Sequence, residues 1–174
     1  MLRSFDGKTP RIAPSAFVSE AAYVVGDVEV GENSSVWPGA VIRGDVGKIV
    51  IGNNTAIEDN CVIHSGSPSS KSDDVIIGNE VHVGHGAVIN GRKIGNNVLI
   101  GMNATVLHDV EIGDSCIIAA GCLIRQGIRV PDRSFVAGVP GEIKAVSSPR
   151  HSFWINEAPR SYAELASRYK AQGL

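Results

Sequence analysis

Aromatic side chains are scarce in this chain, at 5% of 174 residues. That scarcity favours a narrow interior filled by Val, Ile and Ala. No charge of one sign dominates: 16 Lys and Arg stand against 18 Asp and Glu, for a net charge of −2. With a pI near 6.2 there is no basic footprint for nucleic acid. No apolar run is long enough to span a bilayer. Residues 1–10 lack the apolar core of a secretory signal. Cysteine is limited to Cys61, Cys116 and Cys122, which read as small buried hydrophobes rather than a disulfide set or a zinc site. The expected setting is a reducing compartment, the cytoplasm. At this length one domain with a terminal appendage is expected.

What the chain has in abundance is a six-residue step. Ile12, Val18, Val24, Val30, Val36 and Ile42 are followed by Ile51, Ile57 and Ile63, then by Ile77, Val83 and Ile89. The series resumes at Ile94 and runs through Ile100, Val106, Ile112, Ile118, Ile124 and Val130 to Val136. Every position is Ile or Val, and β-branched side chains suit a pleated strand. The fifth residue of the hexad is usually small and apolar, as at Val81, Ala87, Val98, Ala104 and the cysteines. It shares a face with the lead residue, because strand side chains alternate. A strand this short cannot bury its apolar face alone. Stacked coils can, at the usual strand spacing of about 4.8 Å. The pattern resembles the hexapeptide-repeat proteins, and that resemblance implies an all-β fold, a left-handed parallel β-helix of triangular section. The alternative, a sandwich of short strands, normally spaces its strands about 8–12 residues apart.

Three departures interrupt the step. Nine residues separate Ile42 from Ile51, with the slip on Arg43–Lys48; fourteen separate Ile63 from Ile77; one is missing between Ile89 and Ile94. A solenoid needs none of these to fold, so they mark places where function could have been inserted. The expected organisation is a lead-in over 1–11 and a β-helix over 12–146 with a loop at 65–74. A tail follows over 147–174. In it Ser161 and Glu164 form a capping box, and Tyr162, Leu165, Ala166 and Tyr169 form an apolar stripe, predicting a helix over about 161–171.

His64 follows the lead Ile63, and Asn90 follows Ile89, so Asn90 is expected one coil above His64 on the same face. His85 falls at a corner leading into that face, and His82 points outward just before it. His108 and His151 read as structural or solvated. Neutral imidazole is the commonest metal-binding side chain.

Arg43-Gly44-Asp45, then Glu58 through His64, then Val83-Gly84-His85, resemble the motif series of the γ-class carbonic anhydrases. The resemblance extends over nearly the whole chain, C-terminal helix included. It implies a homotrimer with zinc, or another divalent metal such as iron or cobalt, held between subunits. It implies reversible hydration of CO2 to bicarbonate by a metal-bound hydroxide. Of the family's three histidine ligands, two match His64 and His85, the second reaching across from the neighbouring chain. The third falls on Asn90, a poorer zinc ligand, for which His82 is a substitute candidate. The family's Gln, which hydrogen-bonds the bound water, is Glu58 here; it could take or orient the proton, or be a solvated carboxylate. Arg43 and Asp45 match a pair that joins across the interface. Tyr162 matches a site-lining tyrosine weakly, and core packing is the plainer role. Nothing in the resemblance implies nucleic acid or a membrane as partner. Two other readings stay open. One is a non-enzymatic trimeric assembly module that lost its third ligand. The other is an acyltransferase or CoA thioesterase on the same fold, using His85 as a base.

Overall fold

In a computed structural model the chain is a parallel β-solenoid of about seven turns followed by a single helix. The structure describes residues 1–66, 74–146 and 149–174; side chains at 146, 149–152, 154, 156, 158 and 159 are not described. Most of the 65–74 loop and the His151 side chain therefore lie outside the described residues.

The hexad leads point inward, and all but Ile12 and Val18 are buried. They stack as columns: Val24, Ile42, Ile63, Ile89, Val106 and Ile124 form one, on successive paired rungs. The three cysteines are free and buried in the same interior. Burial pushes the Cys61 thiol up to about 12. Between strands the chain turns through residues of positive φ, Asn54, Glu80, Asn97 and Ser115 among them. Beside them runs a ladder of side-chain carbonyls. Asn79 accepts the Asn53 N–H at 2.8 Å, Asn96 that of Asn79 at 2.9 Å, and Asp114 that of Asn96 at 2.7 Å. Each corner's unpaired backbone donor is thus satisfied by the rung beside it.

The strands form three walls, distinguished by their outward residues. One column, Arg11, Glu29, Val50, Ile76, Lys93, Glu111 and Arg129, is largely charged. It is laced by ion pairs such as Lys48–Glu29 and Arg92–Glu111, both 3.0 Å. A second wall lies under the helix. The third carries Tyr23, Val41, Val62, Val88, Thr105 and Leu123 in register. On it Tyr23 and Val62 are 37% and 36% exposed. This apolar wall has no cover among the described residues of its own chain.

Two expectations change. The slip at Arg43–Lys48 is not an interruption. Val41–Ile51 is one 11-residue strand that runs from the apolar wall onto the charged one, beside Tyr23–Val30. The bend depends on Gly26, at φ 83°, where an added Cβ would stand 2.3 Å from the Gly44 carbonyl oxygen. The helix begins at Pro149, not near 161, and extends to Ala171. Pro149 supplies a first-turn proline, which costs a helix no hydrogen bond. The backbone also stays helical through Pro159, a residue that ordinarily kinks or breaks a helix interior. Burial on the solenoid holds it: Phe17, Trp37 and Ala166 form a buried cluster with Tyr162, Leu165 and Tyr169. Lys170 adds hydrogen bonds to the carbonyls of Pro14 and Ala16, at 2.7 and 3.0 Å. The lead-in contributes a rung of its own, Leu2–Arg3 pairing parallel with Val24 and Val25.

Candidate functional site

The sequence-selected residues fall into two clusters, at opposite ends of the strands of the apolar wall. At the end where that wall meets the charged one, Arg43 pairs in register with His64. Asn90 follows Ile89, the rung partner of Ile63, so it lies over His64 as expected. Its amide nitrogen donates to the His64 carbonyl at 3.1 Å. Asp45 joins the cluster through both oxygens: Oδ1 is 3.0 Å from His64 Nε2, and Oδ2 accepts from Arg43 at 3.0 Å. The Arg43–Asp45 pair implied across an interface is therefore closed within one chain.

At the other end, the corner between the helix-covered wall and the apolar wall holds Glu58 and His85 on adjacent rungs. Glu58 is 2% exposed, not a solvated surface carboxylate. Its Oε1 is 2.8 Å from His82 Nε2. Its Oε2 accepts the His85 backbone N–H at 2.7 Å and lies 3.2 Å from His85 Nε2. Tyr162 hydrogen-bonds Glu58 from the helix. Burial works to raise the Glu58 pKa; the bonds from His82 and Tyr162, the nearby His82 and the His85 N–H outweigh it, and the carboxyl stays below its ordinary value. Burial, then Glu58, push the Tyr162 hydroxyl up. His85, with a 43% exposed side chain, has its Nδ1 3.0 Å from Asp59 Oδ2.

His82 is buried on the helix-covered wall, edge-on to Tyr162 at 4.9 Å between ring centres. Outward from the strand, as predicted, is therefore inward under the helix. Tyr162 both packs against Trp37 and reaches Glu58. Beside this cluster runs a cleft of about 880 Å³, with Leu99, Met102, Ile118, Ala120 and Phe153 on its apolar side. Among the described residues, no single-chain group of three or more His, Cys, Asp or Glu side chains could hold a metal ion.

Residues 93–126 match the family described as bacterial transferase hexapeptide (six repeats). A probable carbonic anhydrase of Methanocaldococcus jannaschii is 45% identical over 155 residues, 89% of this chain and 95% of that protein. The mitochondrial gamma carbonic anhydrase 1 of Arabidopsis thaliana is 35% identical over 99% of this chain. The chain spans only 63% of that plant protein's length. The solved structure of a putative acetyltransferase of Bacillus cereus superposes with a TM-score of 0.92 at 32% identity, covering 98% of this chain and 97% of that one.

The chain belongs to the γ-carbonic-anhydrase-like family of hexapeptide-repeat proteins.

Family membership raises the question of whether these residues suit the metal that γ-carbonic anhydrases imply. His85 does: a carboxylate on Nδ1 fixes the tautomer and leaves Nε2 to coordinate, the usual arrangement of a metal-binding histidine. His64 is oriented by Asp45 through the opposite ring nitrogen, Nε2, which leaves Nδ1 as the nitrogen without a carboxylate partner. Asn90 is the departure, an amide whose nitrogen is already engaged. Two oriented imidazoles beside an ionised carboxylate form a donor set that fits a divalent cation, provided two chains supply it. Asp59 was not singled out from sequence. Its signal was there: pairing of Ala56 and Ile57 with His82 and Val83 puts the Asp59 turn beside the His85 turn once the 65–74 loop is discounted.

Proposed function

We propose that this protein is a trimeric, metal-dependent carbonic anhydrase whose sites form where chains meet. The observation that carries the reading is the placement of the two clusters. His64 stands at one edge of the uncovered apolar wall, and His85 with Glu58 at the other. Three prisms packed by that wall around a common axis bring one edge of each chain against the opposite edge of the next. The apolar column from Tyr23 to Leu123 supplies the buried surface for such packing.

His64 of one chain and His85 of its neighbour would hold the cation, with Asn90 at the remaining family position. When bound, a divalent cation supplies one thing: it lowers the pKa of water to about 7, making a nucleophile at neutral pH. The chain's own residues do the rest. Arg43 and Asp45 fix the His64 ring. Asp59 fixes that of His85. Glu58, kept ionised by its neighbours, presents an acceptor oxygen beside His85 and orients what binds there. Water's oxygen ends bonded to the carbon of CO2, and its proton passes to solvent.

Protein purified without chelator should contain about one divalent metal per chain and hydrate CO2 in stopped flow. His64→Ala should lose both, by about a hundredfold or more in rate, while remaining folded. Less than about a tenth of a metal per chain, with no hydration after loading zinc, iron or cobalt, rejects the enzyme and leaves the assembly module.

A second reading draws on the apolar cleft beside Glu58, His82 and His85, and on the 32% identity to a putative acetyltransferase. An acyl group seated in that cleft would make the protein an acyltransferase or thioesterase. It requires a thermal shift with coenzyme A and turnover of acetyl-CoA; carbonic anhydrase requires neither.

A further inference from the structure

Resting on the shared-site reading, one question is what replaces the third imidazole. Asn90 is the weaker candidate, because its only donor atom for a metal is a neutral amide oxygen, whereas zinc sites are built from thiolate, imidazole and carboxylate; its nitrogen donates to the His64 carbonyl at 3.1 Å. Glu58 is well placed. Its two oxygens have different environments, and the distances separate their roles. Oε1 sits 2.8 Å from His82 Nε2, an ordinary charge-assisted hydrogen bond of about 2.7–2.9 Å. Oε2 sits 3.2 Å from His85 Nε2, which is long for such a bond. It is close to the separation of two atoms bound to one zinc: bonds of about 2.0–2.1 Å at a tetrahedral angle hold their ends about 3.3–3.4 Å apart. His85 Nδ1 already has Asp59, so Nε2, whose one carboxylate contact is the 3.2 Å approach of Glu58 Oε2, is the nitrogen left to coordinate. Two nearby side chains also hold the carboxylate in place. Tyr162 bonds to it, and the His82 ring has no other hydrogen-bond partner among the described residues, since its buried Nδ1 is without one.

We propose that Glu58 is itself a metal ligand, so that each cation is held by His64 of one chain and by His85 and Glu58 of the next. Two imidazoles and a carboxylate are a known set for open zinc sites and for ferrous sites. His82 and Tyr162 are then positioning residues, acting on the metal through Glu58.

Zinc affinity of the assembled full-length protein, measured by competition with a chelating dye, tests the assignment. Cobalt(II) absorption spectra give a second readout that folding alone does not move. Glu58→Gln should weaken zinc binding by at least about a hundredfold and alter the cobalt spectrum. Asn90→Ala should weaken binding by no more than the roughly tenfold to hundredfold of an outer-shell partner, and should leave the cobalt spectrum unchanged. Equal affinity and an unchanged spectrum in Glu58→Gln overturn the proposal. So does X-ray absorption of the wild-type zinc protein showing three imidazoles. His64→Ala separates the two levels. Loss of metal there but not in Glu58→Gln sinks the Glu58 assignment alone; retention of metal in His64→Ala sinks the shared site with it. Should Glu58→Gln not assemble, infrared difference spectra of the wild type with and without zinc carry the test. Coordination shifts the stretching bands of a buried carboxylate, and the absence of any shift overturns the assignment.

Discussion

Glu58 is the residue on which site and stability meet. It is buried yet favours the ionised form, because His82, Tyr162 and the His85 backbone N–H outweigh its desolvation. A carboxyl held below its ordinary value stabilises the folded chain at pH above that value. The contribution is lost as pH falls through the lowered folded value. Urea unfolding measured between about pH 6 and pH 3 should therefore show stability falling with acid, and Glu58→Gln should flatten that fall while lowering stability near neutrality. An unchanged acid limb in the variant would mean that other carboxyls carry it. At this scale the sequence was legible wherever rung spacing alone decides position. Asn90 over His64 follows from counting hexads. The burial of Glu58 and His82 does not, because it depends on which wall the helix covers, and a six-residue period treats all three walls alike.

The helix shows the limit of pattern reading at the level of the element. Its second half was legible from the stripe of Tyr162, Leu165, Ala166 and Tyr169, which packs on Phe17 and Trp37 of its own solenoid. Its first half was hidden by Pro159 and by a capping box at Ser161 that reads as a start. Docking on a preformed wall overrides the local cost of that proline. Trp37 is the hub, with ring centres 5.3 Å from Phe17, 5.4 Å from Tyr162 and 5.1 Å from Tyr169. Trp37→Ala should cost about 3–5 kcal/mol in chemical denaturation. It should also release Tyr162 from Glu58, raising tyrosine exposure in ultraviolet difference spectra. A cost below about 1 kcal/mol would mean that the helix is held elsewhere. The strand from Val41 to Ile51 makes the converse point. A slip in the count read as an interruption, yet Gly26 and Gly44 let two backbones bend together and the rungs continue.

For the whole molecule, the three walls differ in a way that assigns each a neighbour. Charge faces water, the aromatic patch takes the helix, and the apolar column is the wall on which the proposed assembly rests. Burying a charge in that column should break the assembly without unfolding the coil. Val62→Asp is expected to sediment as a monomer with its circular dichroism intact and its metal lost; a trimer of unchanged affinity would move the interface to a different wall. Among the described residues no helix is long and apolar enough to cross a membrane. The most direct test of the shared site is anomalous diffraction at the zinc edge from crystals of the assembled protein. A peak should stand about 2.1 Å from a ring nitrogen of His64 in one chain and of His85 in the next. Rings more than about 6 Å apart in the assembly, with no peak between them, would contradict the account, since no single zinc ion could bond to both.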